Sequence, residues 1–148
     1  MKLVDVIKPT GICRPGMRVK DVFRLCVEAD VPGIPVVDER QQIIGKLSIR
    51  HVLKETCIPD FMVKHAHLLG DTLHHLDISK ELLSSVLACP AEDFILPNSP
   101  QATSNTPFSK ALAIMEEQDT TYLFVVDQGI YKGTISIMGI AHAMIEGT

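Results

Sequence analysis

The chain of 148 residues matches itself. At an offset of 89, Glu28, Asp30, Val36, Val37 and Asp38 fall on Glu117, Asp119, Val125, Val126 and Asp127; one residue is lost in a turn, and at 88 Gly45, Ser48 and Ile49 fall on Gly133, Ser136 and Ile137. A self-match at one fixed spacing means that one supersecondary unit is built twice, and this decides the architecture before single residues do. In each copy apolar residues first recur at helical spacing: Val19, Val22, Phe23, Cys26 and Val27, then Phe108, Ala111, Leu112 and Met115. The β-rich runs 34–37 and 122–126 follow, each closed by Asp and a polar turn into a second run at 43–47 or 132–135. A last helix starts at Ser48 or Ser136, whose hydroxyl can cap free backbone N–H groups. Extended lead-ins rich in Pro, 6–15 and 95–107, precede both copies, and Pro107 suits a first helical turn, where a missing N–H costs little. The unit reads strand, helix, strand, strand, helix.

Composition narrows the function classes. With 46% hydrophobic residues the chain can bury a core. A formal charge of -4 gives no basic field of the kind that draws proteins to a nucleic acid polymer, so an anionic ligand has to be held locally. No apolar run approaches the ~20 residues that span a bilayer. The first eight residues lack the apolar core and small-residue cleavage site of a secretory signal, which sets the expectation of a cytoplasmic protein. Cys13, Cys26, Cys57 and Cys89 are far apart in sequence and are expected to be reduced and structural.

The stretches VPGIPVVDERQQIIGKLSIRHVLK and TTYLFVVDQGIYKGTISIMGIAHAM, each with its preceding helix, resemble a tandem pair of cystathionine β-synthase (CBS) domains, the arrangement called a Bateman module. The resemblance covers roughly residues 3–56 and 92–147 and implies an α/β (α+β) fold. In it, two repeats pack through their sheets about a pseudo-twofold axis, here with repeats at 1–56 and 92–148 and a helical connector at 57–91. It implies two clefts between the repeats, which in the family commonly hold AMP, ADP, ATP or S-adenosylmethionine, and association into a homodimer.

In nucleotide-holding members the stretch after the second hairpin strand reads Gly-apolar-apolar-Ser/Thr-x-x-Asp, with the hydroxyl near phosphate and the Asp on the ribose. Here Gly45-Lys46-Leu47-Ser48-Ile49-Arg50-His51 and Gly133-Thr134-Ile135-Ser136-Ile137-Met138-Gly139 keep both Ser and lack both Asp. His51 can offer a hydrogen bond or, protonated, a charge; Gly139 offers no side chain. Lys46 and Arg50 flank Ser48 and suit a polyphosphate. Pro32, Gly33 and Ile34, with Thr121 and Tyr122, correspond to positions that line the base and phosphate region, and Tyr122 suits stacking on adenine. Thr134 and the Lys132 cation complete the candidates. The same residues also have plain readings, Ser48 and Ser136 as helix caps and Lys46, Arg50 and His51 as solvated side chains.

The connector should fold, since a compact domain rarely leaves so long a link structureless. Ile78, Leu82, Leu83, Val86 and Leu87 recur at helical spacing with Asp77 or Ser79 as a start, and an earlier helix is expected to contain Phe61, Met62, His65, Leu68 and Leu69. Its four histidines, His65, His67, His74 and His75, are spaced so that neighbours diverge, and no metal site is expected. Neither a phosphate loop of the G-x-x-x-x-G-K-[ST] type nor a hydrolase nucleophile elbow is present, so catalysis is not expected. Two functions remain: a regulatory module that binds an adenosyl ligand and changes shape, acting on a separate protein, or a ligand-free homodimeric interaction scaffold.

Overall fold

The computed structural model describes residues 2–71 and 77–147, so His74 and His75 lie outside the described residues. Each half is a helix feeding an antiparallel hairpin that feeds a second helix. In the first half these are α1 (Val19–Ala29), β1 (Gly33–Val37), β2 (Ile43–Ser48) and α2 (Ile49–Cys57). The connector carries α3 (Asp60–His65), a 3-10 turn at Ala66–Leu68 and α4 (Lys80–Ala88). The second half holds β3 (Gln101–Ala102), α5 (Phe108–Glu117), β4 (Tyr122–Asp127), β5 (Ile130–Ser136) and α6 (Ile137–Glu146). The fold is therefore α+β, built of two repeats.

Local chemistry accounts for the matching boundaries. Asp30 and Asp119 end the two first helices with left-handed backbone, φ 54° and 50°. The next N–H then turns back: Val31 donates to Cys26 O at 3.0 Å and Thr120 to Met115 O at 2.9 Å, satisfying carbonyls that a helix end leaves open. Both second helices start on a serine cap, with His51 N donating to Ser48 Oγ at 3.5 Å and Gly139 N to Ser136 Oγ at 3.0 Å.

Two cores hold the halves. One gathers Val19, Val22, Cys26, Ile34, Leu47 and Val52; the other gathers Ala111, Met115, Leu123, Val125, Ile135 and Ile140. Each fully buried aliphatic side chain contributes about 1.5–3 kcal/mol. The lead-ins cross between them. Leu3 and Val6 pack in the second core, whereas Phe94 and Ile95 pack on the first. Lys8 exchanges two backbone hydrogen bonds with Thr134, at 2.9 and 2.8 Å, and Leu96 does the same with Lys46, at 2.9 and 2.8 Å. Each lead-in then returns to its own half, through a bridge from Cys13 to Val36 or through the parallel pairing of β3 with β4. The expected lead-in strands are thus reduced to bridges and one two-residue strand, because each serves two sheets in turn.

That crossing explains why glycine recurs at 45 and 133. A Cβ on Gly45 would collide with Leu96 O, and one on Gly133 would come within 2.6 Å of Lys8 O, at a φ of 150°. The connector closes over the first half: Leu82 and Cys89 pack against its core, Val86 is buried within it, and Ser79 caps α4 by accepting from Leu82 N at 3.1 Å. The earlier connector helix is shorter than its apolar spacing suggests; α3 ends at His65, and Phe61, Val63 and Leu68 are exposed. Among the described residues no helix is long and apolar enough to cross a membrane.

Gly45→Ala or Gly133→Ala should each lower unfolding free energy by about 1–3 kcal/mol, read from urea denaturation, since both backbones would have to separate. Burial pushes the Cys13 thiol up to about 11, and burial followed by the nearby Cys13 does the same to Cys26, from an ordinary 9.0. Unfolded thiols release their protons from pH 9 while the native ones keep theirs to pH 11, so the native state binds more protons in that window. The urea midpoint should fall as pH rises from 9 to 11.

Candidate functional site

The twofold relation of the halves produces two clefts from equivalent positions. One, of about 500 Å³, is bounded by Lys46, Ser48 and Arg50 of the first half and by Met115, Glu116, Asp119 and Thr121 of the second. The other, of about 550 Å³, is bounded by Ser136 and Met138 of the second half and by Cys26, Val27, Asp30 and Pro32 of the first. Shifting by 89 or 88 residues converts one lining into the other: Met115 becomes Cys26, Glu116 becomes Val27, Asp119 becomes Asp30, Ser48 becomes Ser136 and Arg50 becomes Met138. The backbone is repeated but the chemistry is not. The first cleft is polar and charged; in the second, Val27 and Met138 are exposed at 74% and 72%.

In the polar cleft β2 and the first turn of α2 present Lys46, Ser48 and Arg50 together, because Lys46 and Ser48 alternate with buried Leu47 and Arg50 follows the capping serine. The Ser48 cap is long, at 3.5 Å, so its hydroxyl is less committed to the helix than that of Ser136, at 3.0 Å. Burial lowers the Lys46 pKa, and its Nζ lies over the Tyr122 ring, 5.4 Å from the centroid. That ammonium occupies one face of Tyr122, so stacking of a base there requires Lys46 to move aside.

Tyr122 is a wall more than a platform. It is 7% exposed, packs on Phe124 with ring centroids 5.8 Å apart, and its hydroxyl is buried without a hydrogen-bond partner. Burial pushes its pKa up to about 12, and the nearby Ser48 hydroxyl opposes that shift without completing a hydrogen bond of ordinary geometry. The Tyr122 hydroxyl lies where a Cβ on Gly33 would be. Gly33 and Tyr122 are equivalent positions in the two repeats, so one glycine makes the room that the other's ring fills.

The remaining sequence candidates divide as follows. Pro32 and Thr121 line both clefts. Ser136 also borders a third hollow of about 430 Å³ with Gly139, His142, Asp5 and Lys8. Ile34 is 0% exposed in the first core and Thr134 is 1% exposed, its hydroxyl held by Tyr131 at 2.7 Å within a Thr10–Tyr131–Thr134 chain. His51 is outside the polar lining; its Nδ1 is 4.0 Å from Glu55 Oε1. Among the described residues no group of three or more His, Cys, Asp or Glu could hold a metal ion. Sequence reasoning overlooked Glu116 and Asp119, although the retained Asp30/Asp119 pair was a signal. Val27 and Met138 had none.

Removing the orphaned hydroxyl should not harm the fold. Tyr122→Phe is expected to leave the melting temperature unchanged or raise it, since an unsatisfied buried oxygen is deleted with little change of shape.

A family model described as the CBS domain matches residues 4–56 and 91–146. No curated protein matches the chain. Among solved structures, the CBS-pair protein CBSX2 from Arabidopsis thaliana is 22% identical, with 98% of this chain and 94% of that one covered and a TM-score of 0.68. A CBS domain-containing protein of unknown function from Bacillus anthracis is 15% identical, with coverage of 100% and 95% and a TM-score of 0.67. The CBS domain pair of protein MJ0100, in complex with 5′-methylthioadenosine and S-adenosyl-L-methionine, is 13% identical, with coverage of 100% and 98% and a TM-score of 0.67. At these identities the structures share a fold with this chain. Two matched repeats, each with the same helix–hairpin–helix order and each completed by the other's lead-in, make this chain a member of the CBS domain family.

Proposed function

We propose that the chain is a regulatory CBS-pair module that binds an adenine nucleotide or another adenosyl ligand between its repeats and signals by a change of shape. The observation that carries this is the polar cleft. Its 500 Å³ suits a small molecule, and one wall joins the Ser48 hydroxyl and the start of α2 to the cations of Lys46 and Arg50. Backbone N–H groups and the helix dipole favour an anion at that point. The adenosyl compounds bound by the MJ0100 domain pair support the ligand class.

Because the cleft is bounded by both halves, a ligand that prefers one relative placement of the repeats shifts the population towards it. In this reading the chain is not an enzyme; it acts on a separate protein, as a homodimer in the cytoplasm. The second reading, a ligand-free homodimeric scaffold, is favoured by one observation, the exposed apolar residues Phe61, Val63 and Leu68 of the connector.

Thermal melting with AMP, ADP, ATP and S-adenosylmethionine separates the two. A ligand that binds only the folded state raises the melting temperature by mass action, to the extent of about 2.7 kcal/mol at a hundredfold excess over Kd. We expect a rise for at least one of these, one bound molecule per chain by calorimetry, and loss of about tenfold in affinity in Ser48→Ala or Arg50→Gln, with Ser136→Ala unaffected. No shift at millimolar ligand would leave the scaffold reading standing.

A further inference from the structure

Helix ends have a preferred sign of charge: acidic at the first turn, basic at the last. Both walls of the polar cleft break this preference. The first turn of α2 has no acidic residue and carries Arg50. The last turn of α5 has no basic residue and carries Glu116, with Asp119 just beyond its end. Each wall thus holds the sign that its own helix end disfavours.

Among the described residues these four charges also form no ion pair. The ion pairs among the described residues are His51–Glu55, Lys54–Glu55 and His142–Glu146, and none includes Lys46, Arg50, Glu116 or Asp119. Lys46 rests on the Tyr122 ring, whose buried hydroxyl is itself unpaired. The cations come from the first half and the carboxylates from the second, and all four border one cleft.

The other cleft supplies the control. At its equivalent positions Lys46, Arg50 and Glu116 are replaced by Thr134, Met138 and Val27, and only the aspartate is kept. Both cations and Glu116 are present together or absent together, as expected of groups that serve one ligand and not of general surface charge.

We infer that the ligand of the polar cleft is a zwitterion, with its anionic group on Lys46 and Arg50 and a cationic centre on Glu116 and Asp119. This rests on the adenosyl reading and narrows it to a nucleoside that carries an amino-acid tail. A carboxylate beside the start of α2 and an ammonium beside the end of α5 set an opposite charge against each wall of the cleft and against each helix end. A polyphosphate engages the two cations and leaves two carboxylates facing its own negative charge.

Calorimetry with three probes of one nucleoside tests this: S-adenosylhomocysteine, 5′-methylthioadenosine, which lacks the amino-acid tail, and ATP. S-adenosylhomocysteine should bind at least tenfold tighter than either of the others. In Glu116→Gln/Asp119→Asn its affinity should fall about tenfold or more, 5′-methylthioadenosine should stay within about twofold, and ATP should tighten. Both positions are exposed and asparagine tolerates the left-handed backbone of Asp119, so the variant keeps the fold, with the melting curve as check. ATP as the tightest probe, or S-adenosylhomocysteine binding unchanged in the variant, overturns the zwitterion while leaving the adenosyl site intact. Absence of binding by all three overturns both.

Discussion

The arrangement depends on two pairs of backbone hydrogen bonds, Lys8 with Thr134 and Leu96 with Lys46, which carry each lead-in onto the sheet of the opposite half. They form only because Gly133 and Gly45 keep the approaching carbonyls clear of any side chain. A sheet edge that would otherwise expose unpaired N–H and C=O groups is thereby covered. The pairing also ties the two hairpins to one another, which is what brings the start of α2 beside the end of α5. The cleft is a consequence of the crossing.

Repetition of the backbone left the side chains free to diverge. Next to the axis a glycine and a tyrosine occupy equivalent positions, and the ring of one fills the space beside the other. A symmetric pair of tyrosines would collide there, and a symmetric pair of glycines would leave a void; both are penalised in a close-packed interior. The same divergence gave one cleft four charged side chains and left its twin mostly apolar, with Asp30 as its one charged residue among those described. A molecule with two equivalent folds therefore has two chemically different openings.

Much of this was legible in the sequence. Helix order, hairpins, serine caps and the doubled unit followed from periodicity and from the offset match, because amphipathic spacing and capping are local. The pairing of opposite halves was not local. Nothing in Val6 or Ile95 says which sheet it will join, so the lead-ins read as simple strands. Thr134 and Ile34 looked like cleft residues from their place beside the motif, but Ile34 shares the face of Leu47 and turns onto the first core, while Thr134, on the face opposite Ile135, is covered by Tyr131, which holds its hydroxyl. Glu116 and Asp119 were passed over because they belong to the helix before the motif, and only the fold sets that helix end against the other repeat's serine.

The exchanged lead-ins also impose an order on synthesis. Lys8 leaves the ribosome long before its partner Thr134, so the earlier segment must wait, unpaired, while the residues between them are made. Contacts so distant along the chain close slowly, since the intervening loop has to be organised first. The sheet of the first half takes its outer partner, Leu96, from the second, and the sheet of the second takes Lys8 from the first, so each repeat is completed only when the other is present.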